Sequence, residues 1–196
     1  MENPNVIVLA GPNGAGKSTV SRTLLAEKYG VCHYVNADTI ARGLSAFHYD
    51  SMAVKAAQVM LEHLRELADD RVNFAFETTL ATRSFAPWLA EIKANGYRFH
   101  LVYIWVRSPD VSIERVRDRV KLGGHFVPED TIRRRYARGL KNFFALYRPL
   151  ADMWRMIDNS ELGFARVIAE VDGTMERIVD PVLWDSIQKG LEHGKP

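Results

Sequence analysis

The stretch Gly11-Pro12-Asn13-Gly14-Ala15-Gly16-Lys17-Ser18 follows directly on the apolar run Asn5-Val6-Ile7-Val8-Leu9-Ala10 and constrains the chain more than any other segment. It has the form G-x-x-x-x-G-K-[ST], and its flanks supply the context that motif needs: a buried strand leads in, and Thr19 to Lys28 reads as a helix leading out. The glycines let backbone N–H groups turn toward one centre, where they and the helix N-terminus cradle phosphate oxygens. On this reading Gly11 through Thr19 surround the phosphates of a nucleoside triphosphate. Lys17 supplies a cation to the β- and γ-phosphates, and Ser18 places a hydroxyl on Mg²⁺, a hard cation that prefers oxygen ligands. The competing reading, a glycine-rich turn that binds nothing, fits poorly with a strand before it and a helix after it.

The rest of the chain alternates strand and helix patterns. His33 to Ala37 reads as a second strand ending at Asp38, and Ser51 to Leu67 as an amphipathic helix with Met52, Ala56, Val59, Met60, Leu64 and Leu67 on one face. Val72 to Phe76 is a third strand, ending at Glu77-Thr78-Thr79, and Ser84 to Ala94 a helix stopped at Gly96. Arg98 to Val106 has the nearly continuous β-branched and aromatic content of a buried parallel strand. Asp110 to Lys121 is helical with Asp110 as N-cap; Gly123 to Pro128 breaks the pattern, and Glu129 to Leu146 makes the next helix. Arg155 to Asp158 is a fifth strand. Arg166 to Val171 and Thr174 to Val179 flank the turn Asp172-Gly173, and Pro181 opens a last helix toward Leu191. This alternation predicts an α/β fold: a mainly parallel sheet with helices on both faces.

A length of 196 residues suits one domain, 1–196, with a helical lid at about 110–140 and a C-terminal hairpin and helix at about 166–192. Hydrophobic content of 47% and charged content of 26% are ordinary for a soluble protein, and a net charge of +2 demands neither nucleic acid nor membrane as partner. Cys32 is the one cysteine, so no intramolecular disulfide and no cysteine-based zinc site is expected. Val6 to Ala10 is too short for a signal-peptide core and Leu101 to Val106 too short to span a bilayer, so the expected location is the cytoplasm.

Three carboxylates, Asp38, Glu77 and Asp158, fall at predicted strand ends, where ligands collect in open α/β sheets. Asp38 suits a general base that takes the proton of a hydroxyl attacking the γ-phosphate; it equally suits a helix N-cap for the turn at Thr39. Glu77 ends an apolar strand as a metal-side carboxylate does, and is a candidate for Mg²⁺ or for substrate hydroxyls. Thr78 and Thr79 add neutral donors and acceptors at the same mouth, or are simply solvated there. Arg115 and Arg119 are i,i+4 on one helix, and Arg133, Arg134, Arg135 and Arg138 lie on the next. A helix–loop–helix with arginines near its corner reads as a lid that neutralises charge in phosphoryl transfer. Ile132 and Tyr136 mark the buried side, which places Arg135 and Arg138 nearer the site than Arg134. A nucleic-acid stripe is the competing reading of these arginines, and the near-neutral net charge argues against it.

Taken together, Gly-Pro-Asn-Gly-Ala-Gly-Lys-Ser-Thr at 11 to 19, Asn36-Ala37-Asp38, Phe76-Glu77-Thr78-Thr79-Leu80, and Gly123-Gly124-His125-Phe126-Val127-Pro128 through Arg135 resemble the zeta-toxin-like P-loop kinases from about Val6 to Ser160. That resemblance implies ATP and Mg²⁺ as cofactors and a sugar hydroxyl of UDP-N-acetylglucosamine as acceptor, with a small helical antitoxin as partner. It implies Asp38 as catalytic base, Lys17 and Ser18 as phosphate and metal residues, and Glu77 and Thr79 as substrate contacts. Arg115 falls near one lid arginine of those toxins. His125 stands at or near the position of a second, so Arg119 or Arg135 is expected to supply that charge. The chain lacks the longer substrate-binding insertions of full-length toxins, so a nucleoside, another sugar or an antibiotic hydroxyl competes as acceptor. A non-catalytic ATP-binding regulatory or interaction module is the reading from another class.

Overall fold

The computed structural model describes residues 3–21, 31, 33–45, 52–161, 163–173 and 175–192. Strand β1 (Asn5–Ala10) is buried at every position from Val6 to Ala10. Successive side chains of a strand point to opposite faces, so both faces of the sheet are covered here. The strand runs into the phosphate loop, and residues 17–21 are already helical; the remainder of the expected Thr19–Lys28 helix lies outside the described residues.

Strand β2 (His33–Val35) stops two residues earlier than its sequence pattern suggests, because Asn36 caps helix α1 (Ala37–Leu44). Helix α2 (Ala53–Asp69) follows, then β3 (Phe74–Thr78), α3 (Phe85–Ala94) and β4 (Arg98–Trp105). Helices α4 (Pro109–Lys121) and α5 (Glu129–Asn142) form a hairpin, and the chain returns through β5 (Met153–Asp158), β6 (Arg166–Asp172), β7 (Met175–Ile178) and α6 (Pro181–Glu192). The seven strands lie in the order β2-β3-β1-β4-β5-β6-β7. The first five run parallel, and the expected C-terminal hairpin adds β6 and β7 as an antiparallel edge.

Two local expectations are corrected. The N-cap of α4 is Ser108, whose hydroxyl accepts from Val111 N at 3.3 Å, and Asp110 in the first turn instead pairs with Arg133 of α5 at 2.6 Å. Helix α5 ends as an α-helix at Asn142; residues Phe143–Tyr147 widen into a π-turn that lets Phe143 and Tyr147 both face the core. Such turns recur at functional sites. This one lies behind the wall of the cleft described below.

The main core gathers β1, β3, β4 and β5 against Met60, Leu64 and Leu67 of α2, Leu89 and Ile92 of α3, and Tyr136 and Leu140 of α5. Ile113, Val116, Val127 and Ile132 form a separate small cluster inside the α4–α5 hairpin. That hairpin thus has its own apolar centre. At the other end, Trp184 of α6 stacks on Trp154 of β5 with centroids 5.6 Å apart, and the Arg148 guanidinium lies over both rings. Among the described residues no helix is long and apolar enough to cross a membrane.

Candidate active site

Pairing of Leu9 with Glu77 and Ala10 with Thr78 sets the start of the phosphate loop beside the Glu-Thr-Thr segment. The loop, α1, α2, β3, α4 and α5 line a cleft of about 440 Å³. Its lining includes Asn13, Gly14, Gly16, Lys17, Ser18, Thr19, Asp38, Glu77, Thr78, Thr79, Arg115, Arg119 and Arg135. Of the residues expected from sequence, Gly11, Pro12 and Ala15 contribute backbone behind the cleft, and Asp158, Arg138 and His125, a candidate substrate contact, do not line it.

Lys17 rests on the loop itself, its ammonium donating to the carbonyls of Gly11 and Pro12 at 3.0 Å each. Burial pushes its pKa down; Glu77 and Asp38 pull it back up, while Arg119 and Arg135 push it further down. At Gly16, with φ +87°, an added Cβ would stand 2.5 Å from Asn159 Nδ2. Only glycine meets both the left-handed backbone and the close approach.

Glu77 is held by three donors. Ser18 Oγ donates to Oε1 at 2.8 Å, Asn36 Nδ2 donates to Oε2 at 2.7 Å, and the Tyr34 hydroxyl also donates to Oε1. Burial and the neighbouring Glu77 raise the Tyr34 phenol well above its ordinary range, so it stays a donor.

Asp38 is not the helix cap. Asn36 Oδ1 takes the backbone N–H groups of Asp38 and Thr39 at 2.8 and 3.2 Å, leaving the Asp38 carboxylate exposed on the cleft wall in the first turn of α1. There it acts electrostatically on Lys17, Arg135 and His125.

The three arginines of the cleft differ in how they are held. Arg115 donates to the carbonyls of Asn159 and Ser160 at 2.7 and 2.8 Å. Arg119 donates to His125 O at 3.1 Å, and its buried Nε has no hydrogen-bond partner among the described residues. Arg135 reaches Asn13 Oδ1 at 3.3 Å; burial lowers its pKa and Asp38 opposes that. His125 lies on the loop between α4 and α5, its imidazole pKa lowered by burial against the pull of Asp38. Arg134 stays on the surface with Thr131, as the helical spacing predicts.

The far wall combines Ala57, Met60 and Phe85 with Thr78, Thr79 and Thr82. Its backbone is gripped from behind: Asn142 Nδ2 donates to Leu80 O at 2.7 Å and the Tyr147 hydroxyl to Thr82 O at 2.8 Å. Leu80 holds φ +53°, a region that non-glycine residues seldom occupy outside sites that fix them there.

Sequence reasoning missed Tyr34, Asn36 and Asn159. Asn36 stood in a recognised motif without a role. Asn159, whose amide donates to Ala15 O at 2.7 Å, follows a strand-end aspartate that drew attention instead. Asp158 accepts from Ser160 N at 2.9 Å and Arg166 Nε at 3.3 Å, so it shapes the corner and does not face the cleft.

Residues 1–161 match the family model described as Zeta toxin. An uncharacterized protein of Haemophilus influenzae is 29% identical over 136 residues, covering 69% of this chain and 94% of that protein. Among solved structures, the AvrRxo1-ORF1:AvrRxo1-ORF2 crystal structure with sulphate ions superposes with a TM-score of 0.77 at 16% identity, covering 94% of this chain and 63% of that one. The same pair with ATP gives 0.74 at 15%, covering 95% and 64%. The chain thus spans less than two thirds of that protein. A structure of the PezAT chromosomal toxin–antitoxin system of Streptococcus pneumoniae gives 0.63 at 18%, covering 98% and 88%.

Proposed function

The chain belongs to the Zeta toxin family, and from that premise we propose that it is a phosphotransferase moving the γ-phosphoryl group of ATP to a hydroxyl of a small molecule. The observation that carries the reading is the Asp38 carboxylate, released from capping by Asn36 and set on the same cleft wall system as Lys17, Arg119 and Arg135. A base must stand where the acceptor hydroxyl meets the phosphoryl group, among cations that neutralise the charge spread over the transferring oxygens.

In this scheme the loop backbone and Lys17 hold the phosphates. Lys17 leaves two neutral carbonyls to do so, an exchange that favours an anionic partner. Arg119 and Arg135 approach from the lid, and Asp38 takes the hydroxyl proton as the acceptor oxygen bonds to the γ-phosphorus and the β–γ bridging oxygen leaves with ADP. ATP is also the ligand in one AvrRxo1 structure that shares the fold.

Ser18 Oγ and a Glu77 oxygen, 2.8 Å apart, are hard oxygen donors and fit Mg²⁺. Among the described residues no group of three or more His, Cys, Asp or Glu forms a cage. That suits an ion bound through one carboxylate, a hydroxyl, phosphate oxygens and water. When bound, the ion supplies further charge neutralisation to the phosphates.

For the acceptor we propose a nucleotide sugar such as UDP-N-acetylglucosamine. The wall of Ala57, Met60 and Phe85 offers an apolar face to a ring, and Thr78, Thr79 and Thr82 offer hydroxyls to its polar edge. Residues 1–196 act as one unit in this proposal, with 110–140 as the lid and a small helical antitoxin as partner.

The test is incubation with ATP, Mg²⁺ and UDP-N-acetylglucosamine, with product followed by mass. Phosphorylated sugar nucleotide that disappears in Asp38→Asn, with ATP affinity held within a few-fold, supports the reading. ATP binding without product from this or any other small hydroxyl acceptor overturns it in favour of a non-catalytic module.

A further inference from the structure

Helix α1 and strand β3 carry the two carboxylates of the cleft, and one side chain touches the supports of both. Asn36 Oδ1 accepts the N–H groups of Asp38 and Thr39, and Asn36 Nδ2 donates to Glu77 Oε2 at 2.7 Å. The amide has one orientation here. Reversed, it would set its NH₂ against two N–H groups and its oxygen against a carboxylate. We propose that Asn36 is a positioning residue that fixes the spacing of Asp38 and Glu77, the base and the metal-side carboxylate of the phosphotransferase reading on which this inference rests.

The chemistry of the position selects asparagine. Serine, threonine and aspartate all cap helices well, since each offers an oxygen to the first-turn N–H groups. None can at the same time donate from a second atom to a carboxylate one strand away. Aspartate caps but sets a second anion against Glu77. Serine caps but has no second arm to reach it. A role limited to capping would accept any of them; a role in spacing the carboxylates accepts none.

The geometry explains why spacing needs a dedicated device. Glu77 sits at the end of β3, fixed by the sheet. Asp38 sits on an eight-residue helix beyond the edge strand β2, whose partner in the sheet is β3. Strand β2 is only three residues long, with His33 and Tyr34 exposed. The sheet therefore places the start of α1 weakly, and the Asn36–Glu77 hydrogen bond adds a direct link from the helix N-terminus to the rigid strand. Tyr34, two residues earlier, donates to the other oxygen of the same carboxylate and braces it from the same edge.

The experiment compares Asn36→Ser, which keeps a cap, with Asn36→Ala, which keeps neither function. Kinetics and unfolding are measured on the whole chain. We expect Asn36→Ser to unfold at a slightly lower midpoint than wild type, by the lost bond to Glu77 alone, to keep KM for ATP within about twofold, and to lose kcat by roughly 10–100-fold, the usual penalty for misplacing a reacting group by an ångström or so. Asn36→Ala should lose kcat equally and clearly more stability, since the cap goes too. Wild-type kcat in Asn36→Ser, or kcat that merely follows stability across the two variants, overturns the proposal.

A second arm needs neither substrate nor metal. In a double-mutant cycle on unfolding midpoints, Asn36→Ser and Glu77→Ala should be non-additive; additivity overturns the Asn36–Glu77 link. If the wild-type chain makes no product with any acceptor while the cycle is non-additive, the kinase reading fails and the positioning link between Asn36 and Glu77 stands.

Discussion

The side-chain amide of Asn159 donates to the main-chain carbonyl of Ala15 at 2.7 Å across 144 positions of sequence. It ties the corner after β5 to the middle of the phosphate loop. Arg115 grips the same corner through the carbonyls of Asn159 and Ser160, and Arg166 of β6 reaches Asp158 at its base. The phosphate loop, α4 and the C-terminal hairpin therefore meet at one three-residue turn.

Replacing Asn159 by alanine leaves the carbonyl of Ala15 unpaired in a buried place, at a cost of about 1–3 kcal/mol. The expected outcome is that loss in urea unfolding, together with severalfold weaker nucleotide binding in a fluorescence titration. Undiminished nucleotide affinity would show that the loop keeps its shape without the tie.

At Gly139 the backbone of α5 packs tightly against Thr79 of the cleft wall. A Cβ there would lie 2.3 Å from Thr79 O and 3.5 Å from the Tyr103 hydroxyl. Alanine is the better helix former by about 1 kcal/mol, but backbone stands on the other side of the contact and cannot rotate away. Gly139→Ala should therefore destabilise by about 1–3 kcal/mol, the usual cost of overpacking. Because Asn142 and Tyr147 grip the same wall, the acceptor KM should rise while KM for ATP holds. A variant as stable as wild type would mean that α5 shifts to make room.

The parts of this fold legible in sequence are those with a one-dimensional signature. The run Val6 to Ala10 is apolar because both faces of its strand are covered, and glycine at 11, 14 and 16 marks positive φ in the loop that follows. Caps were read less well, since Asp38 and Asn36 are both good caps and their sequence does not say which one turns inward. The same ambiguity placed the α4 cap at Asp110 when Ser108 takes it. The π-turn at 143–147 has no local signature; it answers to tertiary packing of Phe143 and Tyr147. Asn159 and Tyr34 act through contacts with residues far away in the chain. No single-sequence pattern marks such partners.

The acid side of stability should trace to Glu170 on β6. Its carboxylate is buried between Arg155 of β5, at 2.6 Å, and Arg177 of β7. Burial alone would raise its pKa, but the hydrogen bonds and charges of Arg177 and Arg155 together outweigh that and hold it below the ordinary 4.5. A carboxylate whose folded pKa is depressed stabilises fully above the unfolded value and loses that contribution as pH falls through the folded one. Stability should thus drop as pH falls below about 4.5. Glu170→Gln should be less stable at neutral pH and show a flatter decline on acidification, measured by thermal unfolding from pH 7 to pH 3. An equally steep decline in Glu170→Gln would move the acid sensitivity to other carboxylates.

Arg115 and Arg119 face the same cleft one turn apart, yet their bonding divides their work. Both guanidinium arms of Arg115 are spent on backbone carbonyls, and burial with Arg107 nearby lowers its pKa against the pull of Asp158. Lysine cannot span two carbonyls with a planar fork. Arg115→Lys should therefore loosen the 158–160 corner, cost about 1–3 kcal/mol of stability, and raise KM for ATP. Among the described residues, Arg119 keeps a buried Nε without a hydrogen-bond partner and bonds the carbonyl of His125. A donor with spare capacity is suited to charge that develops only during the reaction. Arg119→Ala should lower kcat by roughly 10²–10³-fold, as loss of one such donor does elsewhere, and cost only about 0.5–1.5 kcal/mol of stability, the worth of its bond to His125. Steady-state kinetics and urea unfolding of the two variants should give opposite profiles. A large stability loss in Arg119→Ala with kcat retained would reassign Arg119 to holding the lid loop.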